Sequence, residues 1–141
     1  MRYKLLEDIA TADIAFETKG KTYEQLFENA CFATADSIAD TKTIKLVIKK
    51  NIVLESDDLE YLLYDLLSEI VFLKDVDGLV FFDFKIKIEK KKNKYFLKAK
   101  FLGQKIVDSI KLRADIKAVT MHLFKIKKTK NGYKVTVILD V

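Results

Sequence analysis

The chain has 141 residues and a formal net charge of +5, with half of its residues apolar and a third charged. This length and composition favour one soluble globular domain with a sizeable core, and the one cysteine, Cys31, excludes an internal disulfide and a cysteine-rich zinc site. No apolar run approaches the length of a membrane span, and acids at Glu7 and Asp8 interrupt any secretory signal, so we expect a cytoplasmic protein.

Two helices are predicted. The first covers about residues 22–38, because Thr22 and Gln25 have capping-box spacing and small or apolar residues then recur with helical period. The second is more strongly indicated, since residues 56–58 supply a cap with acids in the first turn, and a leucine-rich periodic run follows as far as Gly78. The apolar face of each helix should be buried.

Elsewhere apolar and polar residues alternate with period two, which predicts strands at 43–54, 84–89, 94–102, 104–113 and 133–139. Asn93-Lys94 and Asn131-Gly132 supply turn residues, and the second turn fits a hairpin between about 119–128 and 133–139. Two helices and seven or more strands predict an α+β fold. Residues 1–141 would form a single domain, with two helices packed on one face of a mainly antiparallel β-sheet.

The charges are divided unevenly along the chain. Residues 1–79 hold 9 Lys/Arg against 16 Asp/Glu, while residues 80–141 hold 17 against 5. Such asymmetry can steer a protein toward a charged partner, either nucleic acid or another protein. Lysines on solvated strand faces would also account for it.

Carboxylates lie in apolar surroundings near both ends of the chain. Asp13 interrupts a short apolar stretch, and Asp140 and Val141 follow the strand-like run 135–139. The Asp140 side chain and the main-chain carboxylate of Val141, joined by Asp13, would form a site for a hard cation, with calcium or magnesium favoured over zinc. The residues alone also allow a simpler arrangement, in which Asp13 makes a turn or pairs with a lysine and Asp140 frays.

Two further groups of titratable residues carry weaker signals. His122 is the only histidine, and we interpret it as a strand residue because no nucleophile lies near it in a known pattern. Asp65 and Glu69 lie four apart on one helix face, and we interpret them as the solvated stripe opposite the leucines or as a contact surface. No glycine-rich phosphate loop or nucleophile motif is present, so we expect no enzymatic activity of the chain itself.

Five segments in order along the chain resemble the archease family, small proteins that assist the RtcB-type RNA ligase. The segments are 11–15, 20–30, 58–65, 116–122 and 137–141. The resemblance implies an accessory role in tRNA splicing, in which the protein promotes GTP-dependent guanylylation of the ligase and keeps it turning over. The partner would be the ligase, and tRNA would be reached only through it.

The resemblance also implies roles for individual residues. Asp13, Asp140 and Val141 match the positions that bind a divalent cation in the family, commonly described as calcium. Lys117 matches a lysine of the family motif, which implies contact with the ligase, its nucleotide or the acids of the metal site. This chain departs from many relatives in having Ala10 where they have histidine, which weakens any mechanism that needs an imidazole there.

Two other functions compete with that of a ligase activator. The basic runs 90–96 and 125–128 place lysines beside aromatic or apolar residues, which is also typical of a nucleic-acid-binding module. A general chaperone would need exposed apolar surface that binds unrelated unfolded chains.

Overall fold

The computed structural model describes residues 2–7 and 13–141, which contain two α-helices and eight β-strands. The elements in chain order are β1 (Tyr3–Leu6), β2 (Ile14–Gly20), α1 (Tyr23–Ile38), a 3-10 turn (Thr41–Thr43), β3 (Ile48–Ser56), α2 (Leu59–Asp77), β4 (Leu79–Lys91), β5 (Lys94–Lys105), β6 (Ala118–Thr120), β7 (Ile126–Thr129) and β8 (Gly132–Asp140). No helix in this described part of the chain is long and apolar enough to cross a bilayer. The predicted α+β fold is confirmed.

The strands form two sheets, and every described pairing is antiparallel. One sheet has the order β1-β2-β8-β6, with β7 also paired to β8, and the other has the order β3-β5-β4. The last strand, β8, is therefore the organising strand of the larger sheet. It pairs with β2 along one side, and with β6 and β7 in succession along the other.

Both predicted helices are present: α1 begins at the expected cap, and α2 begins at the last residue of the predicted cap segment 56–58. The Thr22 side chain accepts a hydrogen bond from the backbone N–H of Gln25 at the start of α1. The Asp58 carboxylate accepts the N–H groups of Glu60 and Tyr61 at the start of α2. Helix α2 ends at Gly78, whose φ of 63° is the left-handed conformation that glycine adopts at little cost.

One apolar core joins the two helices and the two sheets. Both helices pack against strands of each sheet, and the largest fully buried side chains include Phe16, Phe27, Leu66, Phe101 and Ile116. The thiol of Cys31 belongs to this core, where burial raises its pKa well above the usual range. Cys31 is thus a small core residue.

One sequence-based strand prediction was wrong, and two others had the wrong bounds. Residues 106–117 form a connection rather than the predicted strand at 104–113, although β5 itself extends to Lys105. The predicted strand at 119–128 is interrupted by a turn in which Leu123 has a φ of 57°, so β6 and β7 are separate. The predicted strand at 43–54 begins later, at Ile48, because a 3-10 turn precedes it.

The predicted hairpin between β7 and β8 is confirmed, with Thr129 paired to Gly132 across the turn. Between β4 and β5 the turn residues are Lys92 and Asn93, one position earlier than predicted. Strands β1 and β2 were not predicted. They complete the larger sheet and bring the segment after residue 12 alongside the end of β8.

Candidate metal centre

Strand pairing brings the two ends of the chain together at one corner of the larger sheet. Ile14 pairs with Leu139, and Asp13 and Asp140 are the residues that adjoin this last pair of the β2–β8 ladder, Asp13 in a bend and Asp140 at the end of β8. On the other side of β8, Ala118 pairs with Asp140. The backbone N–H of Lys117 donates a 2.7 Å hydrogen bond to the carbonyl oxygen of Asp140.

Asp13 and Asp140 both adjoin the Ile14–Leu139 pair, and Asp140 shares one face of β8 with Ile138. The alternate residue, Leu139, is fully buried in the core, so Asp140 projects away from that core. Asp140 is exposed and Asp13 is half-buried. Ion pairs to other described residues are found at neither carboxylate.

A third oxygen on this face lacks a hydrogen-bond partner. The hydroxyl oxygen of Thr120 is buried, and no described group donates to it or accepts from it. Thr120 pairs with Ile138, one step along the same face from the pairing of Ala118 with Asp140. The diagonal separation of such neighbours is about 7–8 Å between Cα atoms. Sequence reasoning missed Thr120, because an unsatisfied hydroxyl is visible only once burial is known.

The donor set at this corner fits a hard divalent cation. Its members are carboxylate, hydroxyl and main-chain oxygens, the ligands that calcium and magnesium take. Within residues 2–7 and 13–141, no three His, Cys, Asp or Glu side chains are grouped as a metal site. The corner supplies two carboxylate side chains, Asp13 and Asp140, with the main-chain oxygen of Val141 next to them in sequence. Water would have to complete the coordination.

Lys117 lies beside this corner but lines a different surface. Its backbone is bonded to Asp140, and its side chain is exposed at the rim of a groove of about 400 Å³ between α2 and β6. The groove has apolar walls that include Phe72, which is 55% exposed, and Val76, which is 63% exposed. An exposed apolar groove with a charged lysine side chain at its rim is a feature of protein contact surfaces.

Lys74 fixes the segment that leads into β6. Its side chain is only 8% exposed, and its ammonium lies 2.7 Å from the carbonyl oxygen of Ile116 and 2.9 Å from a carboxylate oxygen of Asp115. A carboxylate oxygen of Asp75 lies at the same 2.9 Å. Burial alone would lower the pKa of Lys74, but the bonds to Asp115 and Asp75 outweigh it and raise the pKa. Sequence reasoning also missed this residue.

The other candidates from the sequence lie away from the corner. His122 is an exposed turn residue between β6 and β7, so its interpretation as a strand residue was wrong. Asp65 is exposed and Glu69 is half-buried on α2, on the side opposite the buried leucines. Ala10 lies outside the described residues.

Comparisons with known proteins define the class to which this architecture belongs. Residues 3–141 match the model of the Archease protein family (MTH1598/TM1083). Protein archease of Methanosarcina barkeri is 42% identical over 133 residues, which are 93% of this chain and 91% of the relative. Protein archease of Pyrococcus furiosus is 40% identical over 123 residues, covering 86% and 87% of the two chains.

The solved structures that are similar to this chain include two from other organisms. The solution structure of Methanobacterium thermoautotrophicum protein 1598 matches with a TM-score of 0.88 and 31% identity over 99% of each chain. The crystal structure of an archease, described as a possible chaperone, from Thermotoga maritima matches with a TM-score of 0.64 and 25% identity over 94% of this chain and 93% of that one. The chain belongs to the archease family, as the five sequence segments indicated.

Proposed function

We propose that this protein is a non-enzymatic activator of an RtcB-type tRNA-splicing ligase, promoting GTP-dependent guanylylation and multiple turnover of the ligase with the help of a bound divalent cation, calcium. The observation that carries the proposal is the pairing of Ile14 with Leu139, which adjoins both Asp13 and Asp140, together with the hydrogen bond from Lys117 to Asp140. Membership of the archease family supports the accessory role. The protein would act in the cytoplasm.

The cation would be held by Asp13, Asp140 and the main-chain oxygen of Val141. A bound cation supplies positive charge that removes the repulsion between the two carboxylates and leaves open positions for oxygen ligands of a partner or its phosphates. The carboxylates orient the cation toward solvent, since Asp140 projects away from the core and is exposed. Thr120 offers a nearby hydroxyl oxygen that nothing described in this fold satisfies.

The ligase would contact the groove between α2 and β6 as well as the cation. The groove lies next to the metal centre, because Ala118 lines the groove and pairs with Asp140. Phe72 and Val76 supply apolar contact area there, and Lys117 supplies a cation for an acidic or phosphate group of the partner. This arrangement would set the metal centre and Lys117 against one partner surface at the same time.

A reconstituted guanylylation assay tests the proposal. The RtcB-type ligase, GTP and calcium are incubated with substoichiometric protein, and the yield of guanylylated ligase is measured. The parent protein should raise the yield over several cycles, whereas Asp13→Asn and Lys117→Ala should stimulate at least about tenfold less. The protein without ligase should neither hydrolyse GTP nor join RNA.

Matched control variants distinguish the effect of losing the metal centre or the groove from the effect of losing any exposed acid or apolar side chain. Asp108→Asn removes an exposed acid from the connection between β5 and β6 and should stimulate like the parent. Phe72→Ser should weaken ligase binding, whereas Leu46→Ser, at a side chain of similar exposure (53%), should not. Stimulation by Asp13→Asn equal to that of the parent would remove the metal centre from the mechanism.

A general chaperone is the second candidate, favoured by the exposed apolar side chains of the α2 groove. In that case the parent protein would suppress the aggregation of unrelated unfolded proteins, and Phe72→Ser would reduce the suppression. The ligase activator proposal expects no such suppression at the concentrations that stimulate guanylylation.

A further inference from the structure

Four lysines form a compact group on the outer face of the three-stranded sheet. Lys85 pairs with Lys100 and Lys87 pairs with Lys98, in adjoining cross-strand pairs of β4 and β5. All four side chains are exposed. Opposed residues are about 5 Å apart across strands, and residues two apart are about 7 Å apart along a strand. We call this group the lysine quartet.

The fold provides little compensation for these four charges. Lys85 lies 3.6 Å from Asp83 in an exposed pair, and Lys87, Lys98 and Lys100 have no ion pair with any residue in the described ranges. Like charges that face each other directly across strands destabilise a sheet. The arrangement is therefore unfavourable for the isolated protein and becomes favourable when an anion binds.

In the next row of the same face, in contrast to the quartet, negative and positive charges are paired. Phe96 is flanked there by Glu89 and Glu55, its partners on the two neighbouring strands. The carboxylate of Glu55 lies 3.3 Å from the ammonium of Lys94, and the carboxylate of Glu89 lies 3.8 Å from the ammonium of Lys91. These acids are therefore matched by lysines outside the quartet.

Protection of a sheet edge does not explain the quartet. Lys98 and Lys100 belong to β5, which is the central strand of the sheet. At the β4 edge, side chains of α1 already satisfy backbone groups: Glu28 accepts the N–H of Ile86 at 3.0 Å, and Glu24 accepts that of Ile88 at 3.4 Å. The usual reason for lysines on exposed strands thus does not apply to half of the quartet.

The surface around the quartet suits an extended polyanion with planar groups. A shallow depression of about 280 Å³ is lined by the four lysines and Ile86. Phe96 lies two residues from Lys98 on the same face and is 37% exposed. Positive charge that tracks a phosphate backbone, next to an aromatic ring on which a base can stack, is the usual combination for single-stranded nucleic acid.

We propose that the lysine quartet and Phe96 form a binding surface for single-stranded RNA, with the lysines on successive phosphates and the ring under a base. The choice of RNA over DNA rests on the proposed function, whereas the surface itself rests on the geometry. The quartet belongs to the smaller sheet, and Asp13 and Asp140 to the corner of the larger one. RNA binding and ligase activation are therefore separable.

Fluorescence anisotropy with a labelled single-stranded RNA tests the surface. A variant with Lys85, Lys87, Lys98 and Lys100 all changed to Gln should bind at least tenfold more weakly than the parent. Its plot of log affinity against log salt should be shallower by about 2 to 3, since each phosphate contact contributes about 0.7. Phe96→Leu should weaken binding several-fold without changing the salt slope.

The matched control changes Lys125, Lys127, Lys128 and Lys130 to Gln, which removes the same charge from another exposed group. Its affinity should stay within about twofold of the parent. Equal losses in the two variants, no binding by the parent, or tighter binding of DNA of the same sequence would each overturn the proposal. The quartet variant should still stimulate ligase guanylylation without RNA, so failure of RNA binding and failure of the activator function give different results.

Discussion

The backbone N–H of Lys117 donates a 2.7 Å hydrogen bond to the carbonyl oxygen of Asp140 and so joins the two regions that the family resemblance singles out. Asp140 also adjoins the Ile14–Leu139 pair, and Asp13 immediately precedes Ile14. Residues separated by most of the chain length thus meet at one corner because β8 lies between β2 and β6. That topology is the structural basis for the proposed metal centre and contact surface.

The first prediction concerns Lys74, which ties α2 to the segment before β6. Lys74→Met keeps most of the apolar stem but removes the ammonium that bonds Ile116 and Asp115. A buried acceptor left without its partner costs about 1–3 kcal/mol, so the free energy of unfolding in urea should fall by that amount. The exposed Lys42→Met should change it by less than about 0.5 kcal/mol. Equal urea midpoints for both variants would show that the bonds of the Lys74 ammonium do not contribute to stability.

The second prediction concerns the dependence of stability on pH. Burial alone would raise the pKa of Asp36, but hydrogen bonds from Tyr3 and Thr41 outweigh it and lower the pKa. Because the pKa is lower in the folded state, the stabilisation is present above the unfolded value, about 3.9, and is lost as pH falls through the folded value. Burial and the bond to Asp36 raise the pKa of Tyr3 to about 12, so Tyr3 remains a donor throughout this range.

Asp36→Asn should therefore flatten the acid side of the stability profile. At pH 7 we expect the variant to be less stable by roughly 1 kcal/mol, and the difference should shrink as the pH is lowered below about 4. Urea unfolding between pH 3 and about pH 7 measures it. A constant difference across that range would mean that ionisation of Asp36 does not contribute.

The third prediction compares two glycines. A Cβ at Gly103 would collide with the backbone of Val80 and Phe81, next to the irregular register between Phe81 and Asp83. A Cβ at Gly78 would meet no atom within 4 Å, and only its φ of 63° opposes a side chain. Gly78→Ala should cost about 1–2 kcal/mol, and Gly103→Ala clearly more, at least about 3 kcal/mol. Thermal unfolding should rank them in that order, and the reverse order would contradict the packing described.

The elements with strong local signals could be predicted from the sequence. The spacing identifies Thr22 as the cap of α1 and the segment 56–58 as the start of α2, and the β7–β8 hairpin follows from its turn residues. The alternating apolar residues of the connection 106–117 wrongly predicted a strand. Its residues Ile110 and Ile116 are buried in the core, but neither belongs to a strand. Tertiary packing overrode the local pattern there.

The sequence could predict which residues belong to the candidate site but not how they are arranged. Family resemblance identified Asp13, Asp140, Val141 and Lys117. Nothing local in the sequence brings the segments of Asp13 and Asp140 together, since this depends on β8 lying next to β2. Long-range register is a property of the whole sheet. The buried hydroxyl of Thr120 and the lysine quartet required the same information, because both depend on which residues share a face.

A calcium titration by calorimetry tests the central claim most directly, using the parent protein, Asp140→Asn and the control Asp108→Asn. We predict one site in the parent, unchanged affinity in Asp108→Asn and at least about tenfold weaker binding in Asp140→Asn. Calcium bound with the same affinity by all three proteins, or by none of them, would contradict the metal centre at this corner.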